Sequence, residues 1–433
     1  MKNYKFLVPI LLIVLFIGSL YMLFDLKNTQ QKEYDAALAE ARAYRAQDIQ
    51  VDAEEYYKKA LNQKPSIELY LEIGEFYRET NQDREATNWG SQITAAYPTE
   101  VAGYEFLMKI YDENEDYIAV FDVAEAAQKR KLQSPVIEEI TNRLAYSFYF
   151  TGDYDDVGVY SGDMSAVQLD GKWGYVNQTG KVMVKLQYAY AGSFNNNLAP
   201  VTDEDGNSYF IDPEGNKKHV VLDVENIAQL GLIVQDVFSL YDGQKWHFYN
   251  KDHERLFGDF EDVSAMTNGI AAVKNGGVWQ LVDQSGKDLT GKTYAAVAMD
   301  ERKIVCINER LFVFDGSRYQ MITSSGSVVG SDSYEDVCIF KDSTYAAVKI
   351  NGKWGYVDKD GKIVIQPQYE QARSFSKGMA AVKQDGLWGF INVEGEMVIE
   401  PQFENAKDFN SNGCVFVFLE GEWKLLRLYR TNH

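Results

Sequence analysis

One feature restricts this chain more than any other. A bulky aromatic residue returns at Trp173, Trp246, Trp279, Tyr319, Trp354, Trp388 and Trp423, with Ser208 standing in the second place. The spacings are 35, 38, 33, 40, 35, 34 and 35. A period kept over seven intervals marks a repeat array, in which each unit buries its apolar face only against its neighbours. The units share their parts. A short alternating strand such as "GYVD" or "GFIN" leads into a tight turn such as "DKDG" or "NVEG". Asx at the first turn position bonds its own backbone two residues on, and Gly supplies the positive φ at the last. A second strand follows, as in "KIVIQP" and "EMVIEP", and Pro367 and Pro401 sit where no ladder donor is needed. Then "QYEQARSFSKG" leads to "MAAVKQDG", which holds a third strand and a short fourth one.

The stretches "GKWGYVDKDGKIVIQPQYE" and "GLWGFINVEGEMVIEPQFE" resemble the WG-repeat family of bacterial proteins, and the likeness extends over about 280 residues. It implies an all-β domain over residues 153–433. The arrangement expected is a closed, propeller-like ring of seven full units plus a partial one. Strands around residues 154–168 would pair with "GEWKLLRLYR" to close it. An open array of stacked hairpins is the alternative. Gly beside Trp inside a strand marks a bulge or a close approach. The expectation is that a neighbouring unit lies against each indole, so that Trp173, Trp246, Trp279, Trp354, Trp388 and Trp423 anchor the repeats. Indoles stacking on sugar rings are the rival reading. The units from Ser208 to Tyr319 lack the Gly after the aromatic.

Residues 34–152 have a helical period and few β-branched residues. Pro65 and Pro98 are 33 apart, and counted back from them Ala41 matches Gly74, Tyr44 matches Tyr77, and Ala53 matches Ala86. Tyr57 and Ala60 fit the same scheme, which resembles the tetratricopeptide repeat. A third unit over 101–134 has Met108 and Val120 where small residues are expected, and a further helix begins at Pro135. The resemblance implies a concave face, lined by Arg42, Arg45, Glu75, Arg78 and Lys109, that would take a peptide. The alternative is that these are solvated surface charges.

Before the helices comes "FLVPILLIVLFIGSLYMLF", residues 6–24, 19 residues without a charge. As a helix it reaches roughly 28 Å, close to the hydrocarbon thickness of a bilayer. Lys2 and Lys5 precede it, so the positive-inside rule leaves the N-terminus in the cytoplasm and the bulk of the chain outside. A cleaved signal peptide is the rival, and no A-x-A site follows within ten residues of the apolar run. The division expected is a cytoplasmic stub and single-pass anchor over 1–29, a helical array over 30–152, and the β domain. The net charge of −21 argues against a nucleic-acid partner.

The sequence offers little catalytic chemistry. Cys306, Cys338 and Cys414 fit no metal or redox spacing, and neither do His219, His247, His253 and His433. His253 stands in the place of a turn Gly. A calcium loop over "DEDGNSYFIDPE" would use Asp203, Asp205, Asn207 and Glu214, but Ser208 replaces the Gly that such a loop needs. No catalytic, metal or cofactor residues are assigned. The function expected is a non-enzymatic protein–protein scaffold at the outer face of the cytoplasmic membrane. Cell-wall carbohydrate binding through the β domain is the alternative.

Overall fold

The computed structural model describes residues 4–218, 227–307, 309–342 and 344–430. Lys2, His219 and His433 lie outside them. The chain divides into two compact units, Met1–Ala145 and Tyr146–His433.

Among the described residues the first unit holds seven helices: α1 (Tyr4–Ala46), α2 (Gln50–Gln63), α3 (Ile67–Glu79), α4 (Asp83–Ala96), α5 (Val101–Glu113), α6 (Tyr117–Lys129) and α7 (Pro135–Arg143). Their starts are written in the sequence. Ser66 caps α3 by accepting from the Leu69 amide, Asp116 caps α6 through the Ala119 amide, and Ser134 caps α7 ahead of Pro135. Small residues set the helix spacing. Ala41, Ala53, Ala60 and Ala86 have no exposed surface. A Cβ at Gly74 would lie 2.6 Å from the Phe106 ring, and one at Gly90 would lie 2.4 Å from Leu107. Tyr57, Phe76, Tyr77 and Trp89 fill the space between. The helix α1 is long and apolar enough to cross a membrane. Its side chains from Leu12 to Phe24 are exposed, while Ala37, Leu38 and Ala41 are buried in the core of the helical unit.

The second unit is an eight-bladed β-propeller. Eight separate antiparallel sheets follow one another along the chain, and the last is completed by a strand from the start of the unit. Blades 1 to 7 run over 156–188, 190–218, 229–260, 262–282, 296–323, 336–369 and 371–403. Blade 8 combines 405–428 with Phe148–Tyr154. All eight positions of the sequence period fall on the third strand of a blade, so the repeat straddles blades: two outer strands of one, two inner strands of the next. The ring is closed, not an open array, and the partial unit becomes a full blade. The closing strand differs from the expectation: Phe148–Tyr154 pairs with Glu422–Leu428, whereas Met164–Leu169 pairs within blade 1. Phe148 and Phe150 pack this strand against the outer strand of blade 7 by ring contact with Phe403.

The Trp-Gly pair also has a different cause from the one expected. A Cβ on Gly355 would lie 2.6 Å from the Ile365 carbonyl and 2.7 Å from the Pro367 nitrogen. Gly389 and Gly174 meet the same obstacle at Ile399 and Leu186. The close neighbour is therefore the outer strand of the same blade, not the next unit. At this point the register jumps, from Trp354 opposite Tyr369 to Tyr356 opposite Ile365, and the bulged backbone folds onto the glycine. The degenerate units obey the same geometry. Blade 3 has His247 after its Trp, and there the outer strand supplies Gly258, whose Cβ would lie 2.3 Å from His247 Nδ1. Blade 8 skips Gly152 at its bulge. Blades 4 and 5, with Gln280 and Gln320 at the position, keep only isolated outer bridges.

Candidate functional site at the channel mouth

The innermost strand of each blade is two residues long, and the residue after it begins the connection that lines the central channel. In blades 1 to 8 that residue is Gly158, Gly192, Gly231, Ser264, Ala298, Cys338, Arg373 and Lys407. The lining is thus bare beside blades 1 to 3 and cationic beside blades 7 and 8. Tyrosines following the Trp-Gly pair fix two of these positions: Tyr175 donates to the Gly192 carbonyl at 2.7 Å, and Tyr356 donates to that of Arg373 at 3.0 Å. Burial raises both phenol pKa values well above the usual range.

Blade 5 has the longest inner connection, from Val297 to Arg310. Within it "DERK", residues 300–303, forms a turn closed by the Asp300 carboxylate, which accepts from the Arg302 and Ile304 amides at 2.9 Å. Its side chains reach around the ring. Glu301 accepts from Arg373 of blade 7 and Lys407 of blade 8, each at 3.1 Å. Lys303 meets Asp262 of blade 4 at 2.7 Å and lies 5.1 Å over the Trp246 ring of blade 3. Lys341 of blade 6 bridges Asp300 at 3.6 Å and Asp408 of blade 8 at 3.1 Å. Burial alone would push the Asp408 carboxyl up and the Lys341 ammonium down. Lys341 and Arg373 instead hold Asp408 below its ordinary value, and Asp408 and Asp300 hold Lys341 above its own. Beside this network a cavity of about 370 Å³ opens, walled by Trp173, Tyr190 and Trp246 and floored by the 301–303 segment and Lys407.

These channel residues were not singled out from the sequence. The signal present was the 40-residue interval from Trp279 to Tyr319, the longest of the seven, which carries the inserted turn.

The residues that were singled out sit as follows. Trp246, Trp279, Trp354 and Trp388 are 7% exposed and Trp423 is 9%, whereas Trp173 is half-buried. Arg42 forms two 2.7 Å bonds to Glu72, Arg45 pairs with Glu79 and Tyr57, and Arg78 spans Glu75 and Glu113. These pairs join α1 to α3 and α3 to α5, so the three guanidinium groups have partners inside the array. Lys109 lies exposed on α5. Asp203 and Glu214 stand at opposite ends of the strand Ser208–Ile211, so no single loop gathers them around an ion. His247 is buried, with Nε2 2.9 Å from Asp242 and Nδ1 2.9 Å from Arg255. His253 takes the positive φ of 67° that its turn requires. The three cysteines are free, and burial raises their thiol pKa values, that of Cys338 to about 11.

Among solved structures, the chain is similar to the computationally designed Ika8 protein, at 11% identity and a TM-score of 0.44, over 65% of this chain and 98% of that one. It is also similar to BamB from Moraxella catarrhalis, at 10% identity and 0.43, over 65% and 99%. A eukaryotic initiation factor aligns at 13% identity and 0.42, over 66% and 87%. No curated protein matches the chain. In the C-terminal region, residues 151–173, 173–206, 258–279, 354–388 and 388–423 match the family described as WG containing repeat.

Proposed function

We propose that this protein is a membrane-anchored, non-enzymatic binding scaffold. A propeller and a tetratricopeptide-like array would stand outside the cytoplasmic membrane and hold partner proteins there. The observation that carries this reading is the channel mouth. Charged groups from blades 4 to 8 converge on one turn beside an open cavity, and they are paired with one another rather than arranged as nucleophile, base and oxyanion donors. Such a preformed polar rim with aromatic walls suits recognition of another protein's side chains. Burial of five of the six indoles supports partner proteins over glycans, because it removes the row of stacking platforms that sugars would need. Anchoring raises the effective concentration of any partner in the same membrane, so modest affinity suffices.

The test is cross-linking and capture from intact membranes with the full chain, in parallel with Arg302→Gln and with Arg42→Gln, Arg45→Gln and Arg78→Gln together. Gln is chosen over Glu because reversal would set like charges against Glu72, Glu75 and Glu79. A protein partner held by wild type and released by either set supports the scaffold and says which unit holds it. Glycan-array binding without protein capture would refute it. Protease added to protoplasts should digest everything beyond the anchor, and recovery of a shortened secreted form would refute the anchoring.

A further inference from the structure

Four of the six repeat indoles have a cation over them. Arg373 lies 5.9 Å over Trp388, Lys407 lies 5.3 Å over Trp423, and Lys303 lies 5.1 Å over Trp246. In blade 4 the cation comes from the second strand instead, where Lys274 lies 5.9 Å over Trp279. That blade sets Asp262, Lys274 and Trp279 in one row across three strands, and blade 6 repeats the row with Asp336, Lys349 and Trp354. Directly opposed residues share a face of the sheet, so each row places a cation between an acid and an indole.

Blade 1 keeps the ends of the row and loses the middle. Asp156 and Trp173 stand in their places, but Gln168 replaces the lysine. The second source of cation is missing as well, because Gly158 occupies the position of Arg373 and Lys407. Among the described residues no basic group lies over Trp173, and none forms an ion pair with Asp156. Both line the 370 Å³ cavity, together with Tyr190, which is 41% exposed. The other charges on the cavity wall are matched: Arg302 with Asp300, Lys303 with Asp262, Lys407 with Glu301.

We infer that the slot over Trp173 receives a basic side chain, an arginine, from a protein partner. The guanidinium lies over the indole, as Arg373 lies over Trp388, while Asp156 supplies the opposing charge. The chain's charge of −21 draws such a partner in. This rests on reading the propeller as a protein-binding module and names the chemistry of its site.

The test is saturation-transfer NMR on the full chain in a non-ionic detergent, with Nα-acetyl-arginine amide as the probe. Nα-acetyl-citrulline amide serves as the neutral isostere and Nα-acetyl-glutamate as the anion. The arginine probe should bind with a dissociation constant of the order of millimolar, as a single stacked residue does, and the isostere at least fivefold more weakly. Gly158→Lys and Gln168→Lys refill the slot from within and should each weaken the probe at least tenfold. A Cβ at Gly158 meets only Ala166, at 3.5 Å, so the first of these is accommodated. Asp156→Asn should weaken it at least threefold. Equal binding of citrulline, preference for the glutamate probe, or unchanged binding in both lysine variants would overturn the inference. The titration involves no partner protein, so its failure is distinct from failure of the capture experiment.

Discussion

Gly355→Ala separates two accounts of the Trp-Gly pair by the sign of its effect. If the glycine were only a tolerated flexible residue, a methyl group in a strand would stabilise the protein by about 0.4–1 kcal/mol, through the unfolded chain. The structure predicts the opposite. The added Cβ would lie 2.6 Å from the Ile365 carbonyl oxygen, 2.7 Å from the Pro367 nitrogen and 2.9 Å from the Gln366 carbonyl carbon. All three are backbone atoms, so no side-chain rotation relieves the clash, and the strand Ile363–Tyr369 must move outward. Overpacking of this kind costs about 1–3 kcal/mol, and rigid neighbours place it at the upper end. For a domain of this size, about 3 kcal/mol is a fall of roughly 5 °C in melting temperature. The assay is thermal unfolding followed by near-ultraviolet circular dichroism, with Gly352→Ala as the control. Gly352, unlike Gly355, has a positive φ, of 77°, with open space around it, so its cost is conformational only. Gly355→Ala melting at or above wild type would refute the reasoning.

Other outcomes follow from named contacts. Trp354→Ala, which empties a site 7% exposed, should cost about 3–5 kcal/mol in urea unfolding. Glu301→Gln removes the carboxylate shared by Arg373 and Lys407 and should cost about 1–3 kcal/mol; a melting temperature equal to wild type would count against the cross-channel network. Stability should also fall in acid. Asp212 is held down to about 2 by Lys218 and Asn216, and Asp242 to about 2 by the Lys245 amide and His247. These groups release their protons more readily folded than unfolded, where Asp titrates near ~3.9. Their contribution is complete above about pH 5 and is lost as pH falls toward 2. A melting temperature flat from pH 5 to 2.5 would contradict this.

Much of the fold could be read from the period alone, because each unit must repeat its turn and strand chemistry to fit its neighbours. The turns kept their Asx and Gly at Asn177 and Gly180, Asp358 and Gly361, and Asn392 and Gly395. The closing strand was half legible: Tyr154 faces Trp423 as Tyr369 faces Trp354 and Phe403 faces Trp388, but the residues from Phe148 to Asp153 that complete the pairing did not stand out in the sequence. The bulge chemistry was half legible: Gly174, Gly355 and Gly389 announce it, but Gly258 does the same work from the opposing strand, and in blade 8 the bulge falls at Gly152. The channel mouth was hidden for a stronger reason. Glu301 meets Arg373 and Lys407 across 72 and 106 residues, and only closure of the ring brings them together. In the helical unit, the repeat resemblance places Arg42, Arg45 and Arg78 on one face, but sequence does not reveal that Glu72, Glu79 and Glu113 lie within reach of them.

Ring closure is the claim on which the channel, its charged turn and its cavity all depend. Asp153 and Lys424 are paired across the closing seam, with their side chains 3.1 Å apart and 271 residues between them in sequence. The double variant Asp153→Cys, Lys424→Cys, oxidised under native conditions, tests it directly. The closed propeller predicts near-complete intramolecular cross-linking, seen as a reduction-sensitive gel shift, with the folded spectrum kept. An uncross-linked monomer, or disulfides formed only between molecules, would mean that the two ends of the array do not meet.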